Sequence, residues 1–301
     1  MKKILSLLFL ITIGCSNNQD EMIVNIYSQR HYDVDQLQYD NFEKETGIKV
    51  NVIKANADEL LQRIKNEGDN SPADLFITVD VGKLWQATDM GLLQKYEDSS
   101  ITEGITETLL DKNGYWIPVT YRSRIIVYSN ERVKENELST YEDLADPYWK
   151  GKVVIRKSNN VYNQSLVASL IANNGKNKTA AWAKGIVSNM ARKPKGNDRA
   201  QILAVAAGEA DYAVANTYYI ALMLSGKKGP EQQAAAKKVK PFFPNQDGRG
   251  THMNISGGGV LKHSPNKANA IKLLEFLLTK EAQEHIVNNT FEYPMICLLY
   301  T

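Results

Sequence analysis

The strongest constraint on this chain is an alternation. Across residues 21–91, short apolar runs and segments of helical period take turns. EMIVNIYSQR sets Met22, Val24 and Ile26 against polar neighbours, the period of a strand. Residues 33–46 follow with Leu37 and Phe42 on one helical face, and Gly47 stands where a helix stop belongs. IKVNVIKA is a second strand, and ADELLQRIKNEG is a second helix, ended by Gly68. PADLFITVD is a third strand, nearly all apolar, as in a strand covered on both faces. VGKLWQATDMG is a third helix. Strands alternating with helices imply an α/β fold with a mostly parallel sheet.

The rest of the chain breaks that rhythm twice. YWIPVTYRSRIIVYS is a long extended run. A second unit follows: a helix and turn leading into a strand in TYEDLADPYWKGKVVIRKS, then helices in NNVYNQSLVASLIANNG and TAAWAKGIVSNM. RAQILAVAAGEADYAVAN adds a helix, a glycine stop and a strand. KKVKPFFPNQDGRGTHMNISGGGVLK is extended again, before two helical pieces in SPNKANAIKLLEFLLTKEAQEHIVNN. Two extended crossings imply two lobes joined by two strands. The expected division is 22–121 with 242–296 as one lobe and 122–241 as the other, after a leader and tether in 1–20. In open α/β sheets ligands bind at the carboxyl ends of strands, and in a two-lobed protein hinge closure traps them there.

MKKILSLLFLITIGCS carries two lysines and an apolar run too short to span a bilayer, the layout of a secretory signal. Gly14-Cys15 matches a lipoprotein cleavage site, although Thr12 stands where an aliphatic residue is usual; ordinary cleavage a few residues later is the alternative. Either route implies a periplasmic or cell-envelope protein, with a membrane attachment only through a lipid on Cys15. Losing the leader removes two of 36 basic residues and none of the 34 acidic ones, which leaves the remainder balanced. No basic footprint for nucleic acid is left. Cys15 and Cys297 are the two cysteines, so neither a disulfide nor a thiolate metal cluster is expected.

The chemistry gathers at strand-to-helix junctions. Tyr27-Ser28-Gln29-Arg30-His31-Tyr32 follows the first strand, Ser158-Asn159-Asn160-Val161-Tyr162-Asn163 follows VVIRK, and Asn216-Thr217-Tyr218-Tyr219 follows DYAVA. Tyr121-Arg122-Ser123-Arg124 lies on the first crossing. Adjacent tyrosines inside a helix diverge by about a hundred degrees, so the bland reading has one ring buried and one wet. At a helix's first turn both can reach one cavity. Phenolate is a hard anionic donor that suits trivalent iron, whereas zinc prefers His, Cys and carboxylate. Ionising a free tyrosine at pH 7 costs roughly 4 kcal/mol, so several together need a strong cation.

PADLFITVDVGKLWQATDMGLLQKY, TYRSRIIVYS, YWKGKVVIRKSNNVYNQSLV and AVAAGEADYAVANTYYIAL together resemble the bacterial periplasmic ferric-iron-binding proteins. These are solute receptors of iron ABC transporters. The resemblance implies a class II periplasmic-binding-protein fold, Fe³⁺ as transported ligand, an inner-membrane permease as partner, a monomer and no enzymatic activity. It makes Tyr218, Tyr219 and Tyr162 iron ligands. The family's first loop carries a His or a Tyr; here His31 and Tyr32 stand together, as in the branch that holds iron without a bound anion. Arg30, Arg122 and Arg124 would neutralise phenolates or hold an anion, or else be ordinary solvated charges. His252, His263 and His285 are expected to be plain surface residues, and Gly257-Gly258-Gly259 lacks the lysine and the order of a phosphate loop. The competing reading is the same fold around a small organic solute or anion, with tyrosines as aromatic walls. An envelope enzyme is disfavoured, because no Ser-His-Asp, Cys-His or acid pair occupies the loops. ICLLYT departs from the family, whose chains continue past EYPM, and leaves the C-terminal packing outside the resemblance.

Overall fold

The alternation resolves as expected in a computed structural model, which describes residues 22–30, 32–96 and 99–296. Strand β1 (Ile23–Ser28), helix α1 (Asp33–Thr46), β2 (Lys49–Lys54), α2 (Ala57–Glu67), β3 (Leu75–Thr78) and α3 (Val81–Asp89) follow in order. Local chemistry sets their ends. Gly47 adopts φ 74° and its N–H caps Glu43 O. The side chains of Asn56 and Asp80 accept from the first-turn amides of α2 and α3.

Strand β4 (Ile117–Ser129) is the long extended run, buried along almost its whole length. The second unit contains β5 (Val153–Val154), α4 (Val161–Asn174), α5 (Lys176–Asn189), α6 (Asp198–Ala206), β6 (Tyr212–Asn216), α7 (Thr217–Leu224), α8 (Pro230–Ala236) and β7 (Val239–Phe242). The chain returns through β8 (Met253–Val260), α9 (Lys267–Leu277), α10 (Lys280–Thr290) and β9 (Tyr293–Pro294). Among the described residues, no helix is long and apolar enough to cross a membrane.

Sheet order is β2-β1-β3-β8-β4-β6-β5, with β7 and β9 also on β4. The molecule has two lobes, and β4 belongs to both. Ile117–Ser123 pairs antiparallel with β8, and Arg124–Tyr128 pairs antiparallel with β6. One core gathers Val24, Phe42, Leu75, Leu84, Leu273 and Ile286 around the first sheet. The second sheet is covered on both faces. Tyr212, Val214, Ile126 and Tyr128 meet Trp149, Leu166 and Trp182; Ala213, Ala215, Ile125 and Val127 meet Ile202, Val205 and Met223. That split is the period-two alternation of β4 and β6.

The mostly parallel sheet is not what forms. β1 pairs parallel with β2 and β3, and β5 with β6; every partner of β4, and the β3–β8 pair, is antiparallel. The crossings run between the lobes in opposite senses, so the strands that join the sheets oppose their neighbours. The helix expected in TYEDLADPYW is two 3₁₀ turns, Glu142–Ala145 and Pro147–Trp149. Pro147 holds Asp146 extended, at φ −63° and ψ 136°, and so interrupts the helix.

The glycine run in β8 answers to packing. A Cβ on Gly257 would lie 2.5 Å from Ile117 O on β4. Gly257→Ala should therefore destabilise the protein by about 1–3 kcal/mol, as overpacking does, read as a lowered urea midpoint.

Candidate functional site

Three helices start where strands or their loops end, and each start carries tyrosine. Tyr32 is the N-cap residue of α1, held extended after β1. Asn160 caps α4 by accepting from Tyr162 N at 3.1 Å, which fixes Tyr162 in the first turn. β6 runs directly into α7, so Tyr218 and Tyr219 occupy its first turn. All four tyrosines line one cleft of about 600 Å³, together with Asp33, Leu37, Asn197, Arg199, Lys228 and His285. Tyr218 and Tyr162 approach through their hydroxyls, Oη to Oη 3.4 Å. The rings of Tyr218 and Tyr219 stack at 4.2 Å with 30° between planes, so neighbours in sequence face one cavity. Tyr162 and Tyr218 are buried; Tyr32 and Tyr219 are half-buried. His31 lies outside the described residues.

None of the three arginines is a solvated charge. Arg30 binds Asp35 at 2.9 Å and Glu292 at 3.3 Å, and its guanidinium sits 5.0 Å from the Tyr32 ring centre. Arg122 is fully buried. It donates to Ser256 Oγ at 2.7 Å, lies 3.9 Å from Glu292 and 5.4 Å from the Tyr162 ring centre. Arg124 donates to Asp198 at 2.5 Å, Asn163 Oδ1 at 2.7 Å and Asn216 Oδ1 at 3.1 Å. Asn163 follows Tyr162, and Asn216 precedes Thr217 and the tyrosine pair. One guanidinium therefore ties together the starts of two tyrosine-bearing helices.

Several residues at this site were not singled out by the sequence. Asp198 accepts from Arg124, from Asn216 N at 2.8 Å and from Arg156 Nη1 at 3.2 Å. Arg156 also sits 5.6 Å from the Tyr162 ring centre. Glu292 is buried between Arg30, Thr120 and Tyr32. A carboxylate that must be buried is recognisable only by its partners, and these come from distant parts of the chain. His285, expected on the surface, lines the cleft.

Electrostatics favour the protonated form of three of the phenols, Tyr32, Tyr218 and Tyr219. Burial pushes Tyr218 well above its usual value, and the neighbouring tyrosines and Asp198 add to the shift. Burial does the same to Tyr32, reinforced by Glu292 and Tyr162 and opposed by Arg30 and Arg122. Tyr219 is raised by burial and Asp198, against Arg156 and the Tyr218 hydroxyl. Burial opposes ionisation of Glu292, but Arg30, Arg122 and the Thr120 hydroxyl outweigh it and hold the carboxyl below its usual range. Among the described residues, no group of three or more His, Cys, Asp or Glu could hold a metal ion. A metal in this cleft would depend on phenolic oxygen. That donor set suits a hard, highly charged ion.

Two lobes, a ligand-sized cleft between them and polar groups at strand ends define a solute receptor. The chain belongs to the bacterial extracellular solute-binding protein family, whose pattern it matches over residues 38–296. It is 52% identical to iron uptake protein A1 of Synechocystis, over 92% of this chain and 77% of that one. The Trichodesmium protein IdiA (FutA), solved in complex with iron and citrate, is 53% identical, with TM-score 0.84 over 91% of this chain and 87% of that one. The ferric binding protein of Campylobacter jejuni is 43% identical, with TM-score 0.85 over 91% and 86%. These relatives are named as binding and uptake proteins, not enzymes.

His252 directly precedes β8 and answers to acid. Its backbone accepts from Arg124 N at 2.9 Å, and its ring meets Ser165 Oγ at 3.1 Å. Burial, with Arg124, Arg122 and Arg249 nearby, pushes its imidazole down to about 4. The unfolded chain takes up this proton near 6.5, so stability is complete above that pH and falls as pH drops toward 4. Between pH 7 and pH 5 the wild type should lose about 2 kcal/mol that His252→Gln does not lose, measured by urea denaturation at both pH values.

Proposed function

We propose that this chain captures ferric iron between its lobes through tyrosinate oxygens and delivers it to an ABC importer in the inner membrane. One observation carries the proposal: tyrosines from three separate helix starts, on both lobes, meet in a single cleft. Tyr32, Tyr162, Tyr218 and Tyr219 are the proposed ligands, with His31 as a fifth. The names of the Synechocystis, Trichodesmium and Campylobacter relatives support iron as cargo. Membership of the solute-binding family supports an extracytoplasmic receptor with a permease partner. We further propose that the receptor works as a monomer, held at the membrane through Cys15 if that residue is lipidated. The expected lobe division is retained with one change. Phe242 packs in the second core and Asn245 binds Ser139 and Tyr141, so the second crossing is placed near residue 252 instead of 242.

The chemistry follows from charge. Four phenolates around Fe³⁺ leave the centre with one excess negative charge, while Arg122 and Arg156 stand against the Tyr162 ring to offset it. Closing the lobes removes water, which strengthens these attractions. A second reading, an anionic organic solute, draws on one feature: Arg30, Lys54 and Arg156 line a further opening of about 570 Å³ beside Tyr162 and Tyr219. Colour separates the two, since phenolate bound to Fe³⁺ absorbs visible light and an organic solute brings none.

Iron-loaded protein should show a visible band. Tyr218→Phe with Tyr219→Phe removes two oxygens and should abolish the band, with affinity lowered by at least about 100-fold, while the circular dichroism spectrum is retained. Each phenol releases a proton on binding, and burial holds the protons of Tyr32, Tyr218 and Tyr219 above the usual tyrosine value in the free protein. Acid must therefore compete with iron. Titration of the loaded protein downward should bleach it; colour unchanged near pH 4, far below the usual tyrosine value of about 10, would count against tyrosinate ligands.

A further inference from the structure

Behind the tyrosine cleft, a carboxylate occupies the point where two buried guanidinium groups converge. Glu292 follows α10 and is 1% exposed. Its Oε2 accepts from Thr120 Oγ1 at 2.6 Å and Arg30 Nη1 at 3.3 Å. Its Oε1 accepts from the Tyr32 hydroxyl at 3.4 Å and lies 3.9 Å from Arg122 Nη1.

The two arginines are not equally provided for. Arg30 has a second carboxylate in Asp35. Among the described residues, Glu292 is the one carboxylate within ion-pair distance of Arg122. Among the described residues, the other acceptor of Arg122 is the neutral Ser256 hydroxyl, and its Nε and Nη2 have no partner. Asp80, another buried carboxylate in this lobe, is taken by Asn254 Nδ2 at 2.6 Å and Lys83 N at 3.2 Å. Asp80 also acts on Arg122 at longer range, but it bonds to neutral donors and is not within ion-pair distance of Arg122. Without Glu292, Arg122 would keep no carboxylate in ion-pair contact and would have free N–H donors, which is a site for an oxyanion.

We propose that Glu292 is the cleft's own anion: it holds the places on Arg30 and Arg122 that a dissolved oxyanion would take, and so makes cargo capture independent of one. The part concerning iron rests on the tyrosinate reading above; the part concerning anions does not.

Two measurements on wild type and Glu292→Gln test this, the amide keeping the shape and losing the charge. Iron-free protein is titrated with phosphate and with bicarbonate by calorimetry. The wild type should bind neither, and the variant should bind one or both at least about tenfold more tightly. Each protein is then loaded with Fe³⁺ in buffer free of carbonate and phosphate. The wild type should colour fully, whereas the variant should colour only after bicarbonate or phosphate is added. Anion binding by the iron-free wild type as tight as by the variant overturns the proposal, as does wild-type colour that waits for bicarbonate. A folded variant that ignores anions in both measurements overturns it too. If the variant does not fold, the two wild-type results decide alone. Absence of colour in the wild type under every condition would fail the tyrosinate reading instead, and the calorimetry would still judge Glu292.

Discussion

A phenol shut away from water resists losing its proton, and the design of this cleft follows from that resistance. Burial raises Tyr32, Tyr218 and Tyr219, and each is raised further by nearby oxygen groups. Monovalent or weakly held cations bring too little field to reverse a cost of roughly 4 kcal/mol per tyrosine at pH 7, before burial is added. A small trivalent ion brings enough. Selectivity in the proposed role thus comes from charge density, with the protein setting the threshold through desolvation.

The threshold also has to be reachable, and β4 is where it is adjusted. Thr120, Arg122 and Arg124 alternate with Tyr121, Ser123 and Ile125, so they share one face of the strand. Thr120 and Arg122 lie in the part paired within the first lobe, and Arg124 pairs with Asn216 of the second. One strand face therefore contacts Glu292 in one lobe and Asp198 in the other. Arg124 holds Asn163 and Asn216 together, so the helices that carry Tyr162 and Tyr218 cannot shift independently. Positive charge close to the rings lowers the cost of ionising them; in the proposed arrangement, carboxylates behind the arginines take the places that a dissolved anion would hold.

Much of this was legible in the sequence, and the failures share one cause. Helix α1 forms where it was expected, around residues 33–46, because hydrophobic period and a capping glycine are local signals. The tyrosine loops were legible because each sits next to the strand that positions it. The antiparallel pairing of β4 with β8 was not, because Tyr121 and Ile255 are register partners from distant parts of the chain. The burial of Arg30, Arg122 and Arg124 was equally hidden. An arginine reads as a surface charge until its carboxylates are known, and Glu292 lies 262 residues from Arg30. Short segments such as α8, seven residues after Gly229, carry too little period to stand out.

Reversibility is the last demand on a carrier, and in the proposed role it comes from the same terms as affinity. Near the cleft, Lys227 on the second lobe donates to Asn288 O at 2.7 Å and lies over the Phe291 ring at 5.2 Å. The Lys227–Asn288 contact is exposed, and exposed charged contacts contribute only about 0–1 kcal/mol. Closure therefore depends chiefly on what the cleft contains. With cargo in place, oxygens from both lobes share one cation and the closed form is favoured. Once a proton returns to Tyr32, Tyr218 or Tyr219, burial and the nearby carboxylates hold it there, and the attraction between the lobes weakens. On the proposed reading, the desolvation that makes these tyrosinates costly to form is also what lets the cargo leave.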